Sequence, residues 1–150
     1  MLLVDTNVLV DVLQNDPQWA EWSIAQMRAQ ARLHALAINP VIYAEMSLSF
    51  STIEALDEVV LTLALQLHPI PRSALFLAAK AYAHYRRRGG SKSQVLPDFF
   101  IGAHAAVEGW PLLTRDARRF RTYFPTLDGG VGSDEEVGQH LPLAAAAPAV

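Results

Sequence analysis

The most constraining stretch is the opening run Leu2-Leu3-Val4-Asp5-Thr6-Asn7. Three apolar residues read as a short buried strand. A carboxylate follows at once, and then polar residues able to start a helix. The same beat of short apolar run and helical pattern recurs along the chain. It calls for a parallel sheet with right-handed crossovers and helices on both faces. An Asp at the carboxyl end of a strand then stands in the crevice where open α/β sheets bind ligands.

Val8, Leu9, Val12 and Leu13 share one face of a first helix. Asp16-Pro17 is a cap-plus-proline start for a helix from Trp19 to about Arg32. Leu33 to Ile38 reads as the second strand, and Asn39-Pro40 opens a helix through Leu48. A further helix spans about Thr52 to Leu65, with Ile53, Leu56, Val60 and Leu63 as its apolar stripe. Leu67 to Ile70 is a third strand, and Pro69 suits the sheet edge. The helix from Arg72 to about Arg88 stops at Gly89-Gly90, and a polar loop from Ser91 to Gln94 follows. Pro97-Asp98 begins a helix to about Glu108, Pro111 to Thr114 is the fourth strand, and Ala117 to Phe120 is a short helical turn. The expected organisation is one α/β domain over residues 1–127, with an irregular acidic and alanine-rich tail from 128 to 150.

With 51% hydrophobic residues and mean hydropathy +0.17 the chain is globular, and no apolar run is long enough for a bilayer. There is no basic, apolar leader at the start, and there are no cysteines, so disulfide frameworks and thiolate metal sites are excluded. A cytoplasmic location is the expectation. The charge is unevenly spread: −4 over residues 1–85, +5 over 86–121 and −4 over 122–150. The basic segment is a candidate phosphate-binding surface, although a solvated helix and loop would also account for it.

Four carboxylates occupy positions where a carboxylate is not the structural default. Asp5 and Asp116 follow strands, Asp98 opens a helix beside Phe99 and Ile101, and Glu45 has Val41, Ile42 and Leu48 at helical spacing. Asp5 and Asp98 would also serve as helix caps, and Asp116 would suit the dipole of the helix after it. Glu45 has no Lys or Arg spaced to pair with it locally, and an unpaired buried charge is costly. If the sheet is wound as described, all four converge at its carboxyl edge. An all-oxygen cluster of this kind suits Mg2+ or Mn2+ and not zinc.

In these motifs the chain resembles the PIN-domain ribonucleases, specifically the VapC-type toxins of bacterial toxin–antitoxin pairs. The resemblance is carried by Leu3-Val4-Asp5-Thr6-Asn7-Val8-Leu9, by Asn39 to Glu45, by Leu96 to Ala105, and by Pro111-Leu112-Leu113-Thr114-Arg115-Asp116. It covers roughly residues 1–127. It implies a three-layer α/β/α sandwich with a parallel sheet of four to five strands. The acids Asp5, Glu45, Asp98 and Asp116 are then the catalytic and metal-binding set, supported by Thr6, Asn7 and Thr114. The implied activity is metal-dependent endoribonuclease cleavage of RNA such as transfer RNA. The implied partners are a VapB-type antitoxin and a second copy of the chain. The departure is the C-terminus, where a glycine-rich acidic stretch replaces a clear fifth strand.

An acidic site repels an RNA backbone. Arg86, Arg87, Lys92, Arg115, Arg118 and Arg119 are the candidate phosphate contacts, with Arg115 foremost because it adjoins Asp116. The rivals are a PIN nuclease of RNA processing that is not a toxin, a phosphotransfer receiver, and a non-catalytic interaction module. A receiver would need an acid ending a middle strand and a late Lys, and neither is present.

Overall fold

The computed structural model describes residues 1–90 and 96–124. The elements run β1 (Leu2–Val4), α1 (Thr6–Leu13), α2 (Ala20–Ala31), β2 (Leu36–Ile38), α3 (Pro40–Ser47), α4 (Ile53–Thr62), β3 (Gln66–Leu67), α5 (Arg72–Arg87), α6 (Leu96–Glu108), β4 (Leu112–Leu113) and α7 (Ala117–Tyr123). The four strands form one parallel sheet in the order β3-β2-β1-β4. Helices on both faces complete a three-layer α/β/α sandwich.

The chain starts at β1, steps outward to β2 and β3, then crosses back to place β4 on the other side of β1. The direction of winding reverses between β1 and β4. In open α/β sheets this switch point, at the carboxyl ends of the strands, is where ligands bind. Leu2, Leu3, Val4, Ala37, Ile38 and Leu113 are all fully buried, so both central strands are covered on both faces. A second apolar cluster joins α5, α6 and α7 through Ala74, Ala78, Phe99, Ala103 and Tyr123. The Phe99 and Tyr123 rings stack at 4.5 Å, which fixes the start of α6 against α7.

The strands are shorter than the sequence suggests. Leu33, His34 and Ala35 leave the expected second strand because the amides of Leu33 and His34 bond back to the Gln30 carbonyl. The expected third strand shifts to Gln66–Leu67, an exposed edge, and Pro69 and Pro71 beyond it have no amide hydrogen for a ladder. Helix α4 ends at Thr62 and not Leu65. Leu65 N–H bonds to Val60 O at 2.9 Å across Ala64, whose φ is +52°, and the Leu65 side chain folds into the core. In the other direction, the turn expected at Ala117–Phe120 continues as a helix to Tyr123. Among the described residues no helix is long and apolar enough to cross a membrane. The 91–94 loop with Lys92, the 127/128 boundary, the tail and any fifth strand lie outside the described residues.

Candidate active site

Asp5 follows β1 and stands at the N-cap position of α1, yet its side chain makes no capping bond. The carboxylate is 2% exposed, and its Oδ2 accepts the Thr114 hydroxyl at 2.8 Å. Thr114 follows β4, the next strand in the sheet, so the switch point itself joins these two side chains. The Thr114 oxygen also accepts the Asp116 N–H at 3.1 Å. One hydroxyl thus ties Asp5 to the backbone that carries Asp116.

Glu45 lies on α3 at the border of the buried Ile42 and Met46 stripe. Leu48, which the sequence places on the same apolar side, is 89% exposed, because α3 ends before its last turn meets the core. Glu45 is turned toward the sheet by Thr6, whose hydroxyl donates to Oε1 at 2.8 Å. Asn39 caps α3 by accepting the Ile42 N–H at 3.0 Å. Its amide also meets His104 Nδ1 at 3.2 Å, which pins α3 to α6. His104 is fully buried against Trp110 and serves packing. Asp98 sits in the first turn of α6, next to buried Phe99. Asp116 has 47% side-chain exposure, and it caps α7 through the Arg119 N–H at 3.2 Å.

The four acids influence one another. Burial pushes Asp5 up to about 7, and the nearby charges of Asp98 and Glu45 add to the effect, while the Thr114 hydrogen bond and Arg119 oppose it. Burial likewise raises Asp98 to about 6, with Glu45 and Asp116 contributing and Arg119 opposing. Like charges held this close and this dry favour either a proton or a cation. Arg119 supplies one such charge: its Nε lies 3.3 Å from Asp98 Oδ2 and 3.6 Å from Asp116 Oδ2.

In kind and in charge the donor set fits a hard divalent cation. Its geometry is open, since among the described residues no three acidic or histidine side chains stand within reach of one ion. Asp5, Glu45, Asp98 and Asp116 are brought to one edge. Thr6 and Thr114 touch them directly, and Asn7 touches their support: its Oδ1 accepts the Arg115 N–H at 3.4 Å.

The arginines divide. Arg86, Arg87 and Arg118 are exposed. Arg115 is held away from the acids by Asp11 at 3.2 Å and by the Trp19 ring, with 5.1 Å to its centroid. Sequence reasoning passed over Asp11, a 3% exposed carboxylate that also accepts the Ser23 hydroxyl at 3.0 Å. Its signal was an acid three residues after Val8, on a helix whose apolar face packs inward. The inward turn of Arg119 was also missed. Its spacing of three from Asp116 was visible, but Asp98 comes to it only through the fold.

The fold and the acid cluster at its switch point define a known class. The PIN domain family matches residues 2–124, and the chain belongs to that family. Solved structures share the fold. They include VapBC2 from Rickettsia felis bound to a DNA fragment from its promoter (TM-score 0.63, 17% identity, 81% of this chain and 91% of that one). A toxin–antitoxin complex from Klebsiella pneumoniae (TM-score 0.58, 21% identity, 80% and 90%) and DNA-bound VapBC from Salmonella typhimurium (0.60, 21%, 81% and 92%) are similar in the same way. No curated protein matches it in sequence.

Proposed function

We propose that this chain is a metal-dependent endoribonuclease and the toxin of a toxin–antitoxin pair. The observation that carries the activity is the dry carboxylate of Asp5, raised to about 7 at the sheet's switch point, where Asp98 and Glu45 act on it and Asp116 acts on Asp98. The toxin role is supported by likeness of fold to two VapBC structures and to a structure described as a toxin–antitoxin complex. The proposed partners are a small VapB-type antitoxin, a second copy of the chain, and an RNA substrate such as transfer RNA.

Asp5, Glu45, Asp98 and Asp116 would hold Mg2+ or Mn2+. When bound, such an ion supplies Lewis acidity and positive charge at the scissile phosphate. The chain's own groups do the rest. Thr114 and Thr6 fix the carboxylates of Asp5 and Glu45, so their oxygens need little rearrangement when phosphate arrives. Asp116, with 47% of its side chain exposed, would orient the attacking water, and an Asp98 oxygen would take its proton. Water, not the RNA 2′-hydroxyl, is the nucleophile, and the products carry a 5′-phosphate and a 3′-hydroxyl. Arg86, Arg87 and Arg118, with Lys92, hold flanking phosphates.

The test is cleavage of structured RNA by the purified protein with Mg2+ or Mn2+. EDTA should abolish it, and Asp5→Asn should reduce the rate at least ~100-fold, as loss of a directly acting group does. An Asp5→Asn protein as active as the parent refutes the site. Co-purification with the product of a small adjacent gene tests the toxin role.

A further inference from the structure

Arg119 has contacts that an ordinary surface ion pair does not. Its side chain is 32% exposed, and it reaches two of the four acids from α7. It approaches them through Nε, not through the terminal fork that makes strong bidentate pairs. That Nε is buried and forms no hydrogen bond of good geometry, although a carboxylate oxygen lies 3.3 Å away. The guanidinium also lies 5.7 Å from the centroid of the Phe120 ring, beside the core. The result is a cation placed between Asp98 and Asp116 by charge, without a lock. Its backbone N–H is separately committed to the Asp116 cap, so the helix stays put whichever way the side chain turns.

We infer that Arg119 is an internal counter-ion standing in the cation position between Asp98 and Asp116, and that a divalent ion enters by displacing it. The inference rests on the proposed metal site. A divalent ion at this pair would meet the guanidinium at short range, where the two cations repel and compete for the same carboxylate oxygens. The side chain must therefore rotate outward on its flexible stem as the ion arrives, and the acids can then close on a shared centre. This accounts for four converging acids of which no three are within reach of one ion among the described residues. The inward state lowers the apparent metal affinity by the fraction of molecules in which Arg119 is out. Metal occupancy, and with it nuclease activity, is then set by a competition built into the chain.

The test is Mn2+ binding to parent and Arg119→Gln proteins by calorimetry, with circular dichroism as the check on folding. The variant should bind Mn2+ about tenfold more tightly, since a competing half-buried ion pair is removed. Unchanged or weaker binding overturns the inference. A second measurement needs no variant. The Nε–H resonance of Arg119 in the parent should move as Mg2+ is added and saturate with it, while that of exposed Arg118 stays in place. A stationary Arg119 resonance at saturating Mg2+ overturns the inference even if Arg119→Gln does not fold. If neither protein binds Mn2+, the metal site itself is wrong and the inference falls with it.

Discussion

Asp5 and Thr114 follow neighbouring strands that are distant in sequence, and a 2.8 Å hydrogen bond holds the two side chains together. Burial raises the Asp5 carboxyl from 3.8 to about 7. A raised folded-state value means that the folded protein holds the proton more tightly than the unfolded chain. The stabilising effect is complete below pH 4 and is lost as pH rises through about 7. Asp98, raised to about 6, acts in the same direction over a lower window. In EDTA the melting temperature should therefore fall between pH 5 and pH 8. Asp5→Asn should flatten the decline and raise stability at pH 8 by on the order of 2–4 kcal/mol. A flat parent profile contradicts this. Thr114 opposes the rise by donating to the charged form. Thr114→Val should move the acidic limb of the cleavage profile to higher pH and slow cleavage at pH 7 about tenfold, given what a hydrogen bond to a charged group is worth. The acids were legible in the sequence because Asp5 and Asp116 stand where an apolar run gives way to a helix, Asp98 opens a helix beside apolar residues, and Glu45 has apolar neighbours at helical spacing. Arg119 and Asp11 were not, because their partners Asp98 and Arg115 are brought near only by tertiary packing.

At the scale of elements, the alternation of strand and helix was plain because each strand core is an apolar run flanked by polar or proline residues. The ends were less plain, since they depend on which hydrogen bonds the fold permits. Helix α2 continues into a turn that takes Leu33 out to 74% exposure, and α4 closes on Ala64 in a conformation that a glycine would normally adopt. Two junctions position the site. Asn39 caps α3 below Glu45 and meets His104 on α6 below Asp98. Asn39→Ala removes the cap and leaves a buried imidazole nitrogen without its partner. It should cost about 2–3 kcal/mol, seen as a fall of roughly 4–10 °C in melting temperature. Gly102 lies one turn after Asp98, and a Cβ there would run into the Phe124 ring. Gly102→Ala gains helix propensity but should still destabilise, because the ring that closes the α6–α7 contact has to move. A higher melting temperature for Gly102→Ala would show that Phe124 yields easily.

Over the whole molecule, charge is sorted in space as well as in sequence. The acids gather at the carboxyl edge of β1 and β4, while the exposed arginines end α5 and line α7. These two helices are joined where Tyr85 meets Tyr123 at 5.1 Å between ring centres. Arg86 and Arg87 end α5 with their side chains exposed, and exposed Arg118 lies on α7, the helix whose Arg119 reaches the acids. RNA held by these exposed arginines would have its flanking phosphates neutralised by charges outside the acidic cluster. Phosphate contacts of this kind act through counterion release, which makes them separable from chemistry. Arg86→Ala, Arg87→Ala and Arg118→Ala combined should weaken RNA binding at low salt and reduce the slope of log affinity against log salt by roughly 2, at about 0.7 per lost single-strand contact. Mn2+ affinity and melting temperature should stay near those of the parent, because all three side chains are exposed. Arg115→Ala should behave differently. It breaks the pair with buried Asp11 and the contact with Trp19 that hold the residue beside Asp116, so stability and cleavage should fall while the salt slope holds. Titrations of RNA binding over a range of salt concentrations separate the two outcomes. A slope unchanged by the triple substitution would put the RNA on another face.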